Sequence, residues 1–217
     1  TCLSFLVALN TAANFISQGS YKKILIVSAD RGTRGRNFDE PESAVLLGDA
    51  AAAVLVEKAL DDEESCMLDF TMNTYPEGSH LTEVRGGGTN LHPHDEETNF
   101  ADNLFSMNGP MIYKMARKTV YNQIQLDLKN NNLKVDDINL VIPHQASGLA
   151  IKAYSKYGGF SSNKVVNILD KTGNCVAASL PLALAIAYED SRIKRGDLIY
   201  FIGTGAGLSV ASCLIKF

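Results

Sequence analysis

The sequence predicts an α/β protein in which helices cover the faces of mixed, mostly parallel β-sheets. Short apolar runs alternate with longer segments whose apolar residues recur at helical spacing, along most of the 217 residues. Most of the short runs are apolar at consecutive positions, which is typical of strands that are buried on both faces. Because 46% of its residues are hydrophobic, the chain can bury a sizeable core.

The beginning of the chain predicts one helix and two strands. Helical periodicity runs from residue 4 to residue 18 and stops at Gly19. A β-branched run at 23–28 and an Ala-rich run at 50–57 predict strands, with a polar, Arg-rich loop at 30–43 between them. The charged segment 61–64 is the expected boundary between two units, which we place at residues 1–60 and 65–217.

The rest of the chain repeats a strand–helix–strand rhythm. The predicted strands are 67–72, 138–142, 165–169, 198–202 and 208–216, and the predicted helices are 111–128, 147–157 and 176–190. Segment 75–103 is polar and predicts a loop; it holds three of the four histidines. Alanines recur in the helices at 2–18 and 176–190, which permits close packing, so we expect these two helices at the centre of the fold.

Composition and charge exclude several classes of function. A net charge of −4 gives no signature for binding nucleic acid. The four cysteines show no CxxC spacing, no apolar run is long enough to span a bilayer, and we expect no signal peptide. These observations favour a cytoplasmic protein with free thiols, without a metal site, a nucleic-acid partner or a membrane partner.

Three residues lie in settings that suit acyl-transfer chemistry. Cys2 opens an apolar helix, where the positive end of the helix dipole lowers a thiol pKa. His144 follows the buried run 138–142, and Asn174 follows Gly173 in a turn between a strand and a helix. Read alone, His144 could be a packed core residue and Asn174 a turn or cap residue.

Together with other motifs, these residues resemble the ketoacyl synthase III branch of the thiolase superfamily over essentially the whole chain. The motifs that carry the resemblance are Gly48-Asp49, Met107-Asn108-Gly109, Pro143-His144-Gln145-Ala146, Gly173-Asn174, Arg195-Gly196-Asp197 and Gly203-Thr204-Gly205-Ala206-Gly207.

The resemblance implies a thiolase-like fold with two similar halves, each built on a five-stranded sheet around buried central helices. It also implies about a hundred further residues before Thr1, roughly one small domain, so that the N-terminal half would be largely missing. We therefore expect a C-terminal portion whose exposed sheet edges and apolar faces are covered by a partner segment or a tight homodimer.

The resemblance also implies the chemistry. Cys2 would accept an acyl group from coenzyme A as a thioester, and malonyl-acyl carrier protein would then lose carbon dioxide and attack it. His144 and Asn174 would donate hydrogen bonds to the enolate oxygen, and the backbone N–H groups of Cys2 and Ala206 would form the oxyanion hole. Coenzyme A enters as a thioester substrate, so no cofactor is expected.

Binding residues follow from the same resemblance. Arg34 would contact the coenzyme A nucleotide, although a solvated turn explains it equally well. Lys114 and Lys156 would dock the acidic acyl carrier protein. Leu149 stands where the family typically has an arginine at the pantetheine entrance, which leaves room for a specialised relative.

Other interpretations remain open. A polyketide-type synthase or an enzyme that joins two acyl groups shares much of this pattern, and an inactive folded fragment of such an enzyme is a further alternative. The histidines at 80, 92 and 94 have little ligand support around them, and a solvated loop is the simpler interpretation of that segment.

Overall fold

A computed structural model describes residues 1–217, which form six α-helices and eight β-strands joined by short 3₁₀ turns. In chain order the elements are α1 (Ser4–Ser17), β1 (Lys23–Arg31), α2 (Pro41–Ala44), β2 (Asp49–Glu57), β3 (Cys66–Thr74), β4 (Thr82–Glu83), β5 (Ser106–Met107), α3 (Gly109–Asn130), β6 (Leu140–Pro143), α4 (Gly148–Gly158), α5 (Leu169–Thr172), α6 (Ser179–Glu189), β7 (Leu198–Gly205) and β8 (Ser209–Lys216). None of the helices combines the length and the apolar character that crossing a membrane requires.

The strands form a mixed set of sheets. Strands β1 and β2 pair as an antiparallel ribbon, β4 and β5 form a second short ribbon, and four strands form a sheet in the order β3-β8-β7-β6. The α/β class is confirmed, but the expectation of mostly parallel pairing is wrong, because only β6 and β7 are parallel. Consecutive apolar residues report burial on both faces of a strand, and helices on both faces produce that burial whatever the strand direction.

The four-stranded sheet lies between two helical layers, and its central strand β7 shows why. Ile199 and Phe201 belong to the larger core cluster, which includes residues of α1 and α6. Tyr200 and Ile202 point to the opposite face and join a second cluster with residues of α3 and α4. Alternation along a strand thus divides one apolar run between two cores.

Helix α1 connects the β1–β2 ribbon with the four-stranded sheet. Phe5, Leu6, Leu9 and Ala12 are buried, whereas Val7 and Phe15 on the other side are exposed. One face of α1 is therefore buried, as expected for a central helix, whereas the other face is not. The larger core contains residues on both sides of position 60, and the division into units 1–60 and 65–217 stays a prediction.

The strand predicted at 165–169 is wrong, and Gln145 provides the physical reason. Val165 makes a single parallel bridge with Val141, after which the Gln145 side chain takes over the pairing. Its amide nitrogen donates to the Val166 carbonyl at 3.2 Å, and its carbonyl oxygen accepts from the Ile168 N–H at 3.0 Å. A side chain thus satisfies backbone groups that a strand ladder would satisfy, and α5 follows instead.

We predict that Gln145→Leu destabilises the protein by about 2–3 kcal/mol. Gln145 is 0% exposed, and its loss leaves buried backbone groups of 143, 166 and 168 without partners. Chemical denaturation measures the free energy of unfolding, with Gln125→Leu on the exposed side of α3 as the matched control. A loss no larger than that of the control would contradict this role.

Candidate active site

Cys2 lies two residues before α1. The helix begins at Ser4 with Leu3 as its N-cap residue, and the Ser4 N–H donates to the Thr1 carbonyl at 2.9 Å. The expectation that the helix begins at Cys2 is therefore off by two positions. Its half-buried thiol still stands at the positive end of the helix dipole.

The Cys2 thiol has a pKa that is lowered from 9.0 to about 7. Burial by itself raises the pKa. The charge of His144 and a hydrogen bond with its ring lower the pKa and outweigh the effect of burial. The Thr1 hydroxyl adds to the lowering. Near neutral pH, thiol and thiolate are therefore both well populated.

The end of β7 brings Cys2 and His144 together. A Cβ atom at Gly203 would lie 2.7 Å from the His144 Cβ and 3.2 Å from Leu3 Cδ2, and one at Gly205 would lie 3.4 Å from Leu3. The two glycines thus leave room for the residue that follows Cys2 to pack against the strand that flanks His144. A side chain at Gly203 would force these two groups apart.

His144 occupies the end of β6, as the sequence predicted. Its backbone N–H donates to the Ile202 carbonyl of β7 at 2.8 Å, which continues the parallel pairing by one residue. The side chain is only 3% exposed, and its Nδ1 has no hydrogen-bond partner. Since buried polar atoms are nearly always paired, this nitrogen marks a place that a ligand can occupy.

Asn174 lies in a turn that is held from three sides. Its backbone N–H donates to the Leu46 carbonyl at 2.7 Å, and its own carbonyl accepts from Gly48 at 2.9 Å. Its side-chain oxygen accepts from the Val176 N–H at 2.9 Å. This bond fixes the orientation of the amide. Its NH₂ group, which can donate to an anionic oxygen, has no partner within the protein.

The turn after Asn174 contains a strained residue. Val176 has φ of +52°, a left-handed conformation that is costly for a β-branched side chain. The segment 176–178 packs against α1 and β1, and the Asp30 carboxylate accepts from the Ala178 N–H at 3.0 Å. Asp30 therefore stabilises the strained turn from the end of β1.

Ala206 lies in the hairpin between β7 and β8. It has no positive φ, whereas Gly207 next to it has φ of +110°, so alanine is accommodated at 206 without strain. Leu3 packs against Gly205, which places this hairpin beside the segment that carries Cys2. The assignment of the Ala206 N–H to an oxyanion hole stays a prediction.

A groove between α3 and α4 leads to His144. With the space at its solvent-filled mouth included, it spans about 490 Å³, and its lining is mostly apolar. His144 and Thr204 lie at its inner end, whereas Arg117 and Tyr157 line its exposed part. The groove can therefore take a slender ligand whose reactive end reaches His144.

The predicted cationic contacts are all on the surface. Arg34 is exposed in the 3₁₀ turn at Gly32–Gly35 and makes no hydrogen bond or ion pair, whereas Arg36 donates to the Leu47 carbonyl. Lys114 is exposed on α3, and Lys156 on α4 lies 5.2 Å from the centre of the Tyr157 ring. Arg34 shares no hydrogen bond or ion pair with either lysine.

The sequence did not indicate the contacts of three further residues that support the site. Asp30, Gln145 and Tyr157 act on residues 148, 23 and 40 positions away respectively, so no local spacing reveals them. The histidines of segment 75–103 form no common site. The rings of His92 and His94 stack at 5.2 Å, while His80 lies 3.9 Å from Glu83.

We predict that alkylation of Cys2 by iodoacetamide rises with pH with a midpoint of about 7. His144→Ala should move this midpoint to higher pH, because burial still raises the pKa while the lowering by His144 is lost. Peptide mapping by mass spectrometry separates Cys2 from the exposed Cys66, and His80→Ala is the matched control. An unshifted midpoint in His144→Ala would contradict the pairing.

Comparison with known families agrees with this geometry. A family model described as 3-oxoacyl-[acyl-carrier-protein] synthase III matches residues 1–76, and the model for its C-terminal domain matches residues 128–217. The chain is 31% identical over 217 residues to a protein named β-ketoacyl-[acyl-carrier-protein] synthase III from Solibacter usitatus, and 35% identical over 216 residues to one of the same name from Aliarcobacter butzleri. The alignments cover all of this chain and 66% and 65% of those relatives.

Solved structures show the same relationship. The 3-oxoacyl-[acyl-carrier-protein] synthase III of Aquifex aeolicus superposes with a TM-score of 0.86 at 28% identity, covering all of this chain and 65% of that one. A structure of OleA from Xanthomonas campestris, at 20% identity and a TM-score of 0.83, covers 64% of that chain and shares the fold. The predicted thiolase-like fold is thus confirmed, and the chain spans about 65% of the length of its relatives. The chain belongs to the 3-oxoacyl-[acyl-carrier-protein] synthase III family.

Proposed function

We propose that the protein is an acyltransferase that condenses an acyl-coenzyme A starter with malonyl-acyl carrier protein. The observation that carries this proposal is the Cys2 thiol with a pKa of about 7 beside the buried His144, at the inner end of an apolar groove. The relatives are named for synthesis on an acyl carrier protein, which agrees with this chemistry.

In the first step, the Cys2 thiolate attacks the thioester carbonyl of the acyl-coenzyme A. A carbon–sulfur bond to Cys2 forms, the bond to the coenzyme A sulfur breaks, and coenzyme A leaves as a thiolate that takes up a proton. A thiolate with a pKa near neutrality suits this exchange, because it is populated at neutral pH and remains a good leaving group for the second step.

In the second step, the malonyl group loses carbon dioxide. The electrons of the broken carbon–carbon bond form an enolate, whose carbon attacks the acyl-Cys2 carbonyl and releases the Cys2 thiolate and a 3-oxoacyl-carrier protein. We assign hydrogen-bond donation to the enolate oxygen to His144 and Asn174. The unpartnered ring nitrogen of His144 and the free NH₂ group of Asn174 support these roles.

We assign docking of the acidic carrier protein to the cationic face of α3 and α4. Together these two helices contain a single acidic residue, Asp127, which is buried and accepts hydrogen bonds from Gln123 and Tyr200. Lys114 and Lys156 are exposed on this face and have no carboxylate partner. A negatively charged protein meets local attraction here despite the total charge of −4. Arg34 is assigned to the coenzyme A nucleotide.

We also propose a homodimer that works in the cytoplasm. The outer side of the β1–β2 ribbon is apolar and exposed at Leu25, Val27 and Leu55, and Val27 alone is 63% exposed. Contiguous apolar surface of this kind is typical of an interface. A reducing compartment keeps Cys2 as a free thiol.

We predict that Asn174→Ala and His144→Ala lower malonyl decarboxylation by about 10²–10³-fold, the usual effect of losing one oxyanion donor. Acylation of Cys2 should survive in Asn174→Ala. In His144→Ala it should fall at neutral pH and recover at high pH, because His144 also lowers the Cys2 pKa. Intact-mass measurement follows acylation, and release of labelled carbon dioxide follows decarboxylation.

The matched controls for this experiment are Asn122→Ala and His80→Ala, which change exposed residues. Condensation within a few-fold of the wild type in both test variants would refute the assigned roles. An adduct on Cys66, Cys175 or Cys213 instead of Cys2 would refute the nucleophile. Turnover of two acyl-coenzyme A molecules without malonyl-carrier protein would identify an acyl-joining enzyme instead.

We predict that Asp30→Ala lowers decarboxylation by about tenfold, the ratio that corresponds to the loss of one hydrogen bond to a charged group. The variant removes the acceptor of the Ala178 N–H, which lets the strained turn at Val176 relax and misplaces Asn174. Asp30→Asn keeps an acceptor oxygen and should retain activity. The iodoacetamide profile of Cys2 should not change, which separates this effect from general unfolding, and Asp39→Ala is the control.

A further inference from the structure

We propose that Arg117, held against Tyr157 together with Lys156, binds the phosphate of a phosphopantetheine arm in the groove between α3 and α4. This inference rests on the proposed function and names a residue that recognises the substrate. The shared chemistry is the phosphate at the end of a neutral amide arm, which a carrier protein and coenzyme A both carry.

Two cations converge on one aromatic ring. The Arg117 guanidinium lies 5.1 Å from the centre of the Tyr157 ring, and its Nη1 donates to the Tyr157 hydroxyl at 3.5 Å. The Lys156 ammonium lies 5.2 Å from the same centre. Stacking on a ring orients a guanidinium while leaving its remaining N–H groups free to donate.

Neither cation has an acidic partner in the protein. All six ion pairs of the chain involve other residues, and the carboxylate of Asp127 is buried away from this face. The pKa of the Tyr157 hydroxyl is lowered, first by its hydrogen bond with Lys156 and further by Arg117. The direction of that shift reports a positive local field that an anion would neutralise.

The groove connects Arg117 and the Tyr157 ring with the reactive end of the site. Its inner end holds His144, whose Nδ1 is buried without a partner, and Arg117 lines its exposed part. The walls between are mostly alanine and tyrosine, contributed by Ala116, Ala150, Ala153, Tyr113 and Tyr154. A ligand that fits has a slender, uncharged middle, a reactive group at one end and an anion at the other.

Position 149, where the resembled family typically has an arginine, holds a leucine in this chain. Leu149 is 67% exposed and does not line the groove, although the next residue, Ala150, does. Arg117 on the facing helix supplies a cation to the same groove, so the site keeps a positive charge in a different place. Arginine suits a phosphate because its planar fork can donate two hydrogen bonds at once.

The test compares ligands with and without the phosphate. Arg117→Gln is assayed with malonyl-carrier protein, acyl-coenzyme A and malonyl-N-acetylcysteamine, which lacks the phosphate. Binding of holo- and apo-carrier protein is measured by calorimetry. Lys129→Gln, at the far end of the same helix and outside the groove, is the matched control.

Arg117→Gln should raise KM for the phosphate-bearing substrates about tenfold, as expected for one charge-assisted hydrogen bond, and leave kcat within about twofold. The phosphate-free thioester and binding of apo-carrier protein should be unaffected. The double variant Arg117→Gln with Leu149→Arg should recover most of the loss, because an arginine next to Ala150 can reach the same groove. Whether carrier protein, coenzyme A or both respond identifies the source of the phosphate.

Equal weakening of holo- and apo-carrier protein would overturn the proposal, since Arg117 would then contact the carrier surface. No change in any KM would overturn it as well. If the wild type condenses no substrate at all, the proposed function fails, whereas the holo-to-apo comparison still decides whether Arg117 binds the phosphate.

Discussion

The site depends on one close contact, in which the Leu3 side chain, just before α1, packs against two glycines at the end of β7. Leu3 lies against Gly203 and Gly205, and a Cβ atom at Gly203 would come within 2.7 Å of the His144 Cβ. Parallel pairing with β7 continues to His144, whose N–H bonds the Ile202 carbonyl. The same strand end therefore positions both the thiol and the imidazole.

The electrostatics of Cys2 follow from that separation. Burial alone would raise the thiol pKa and make Cys2 inert, as it does for Cys213, whose pKa rises to about 12. At Cys2 the nearby His144 outweighs burial, and the pKa falls to about 7. The two thiols thus differ in their neighbours: Cys2 lies beside His144, whereas Cys213 lies near the carboxylate of Asp69, which adds to the rise of its pKa. Such charge interactions are stronger in a poorly solvated site than in water.

Most elements could be predicted from the sequence because they carry periodic apolar patterns. The prediction was wrong where a side chain makes the hydrogen bonds that a neighbouring strand would make. Segment 165–169 has the composition of a strand, but Gln145 takes its hydrogen bonds. Local patterns were sufficient to propose Cys2, His144 and Asn174 individually. They could not show that Cys2 and His144 interact directly, or that Asp30 holds the turn behind Asn174, since these contacts join distant parts of the chain. Burial, which sets the sign of each pKa shift, is equally a property of the folded chain.

The distribution of charge reconciles a negative protein with an anionic partner. Six exposed cations, at 114, 117, 118, 129, 152 and 156, lie on α3 and α4, while the acidic residues that make the total −4 lie almost entirely on other elements. At physiological salt, charges more than about 8 Å apart are largely screened. An approaching acidic protein therefore responds to the nearest face and not to the total. Since the groove to His144 opens on this face, the same two helices that attract the partner also admit its arm.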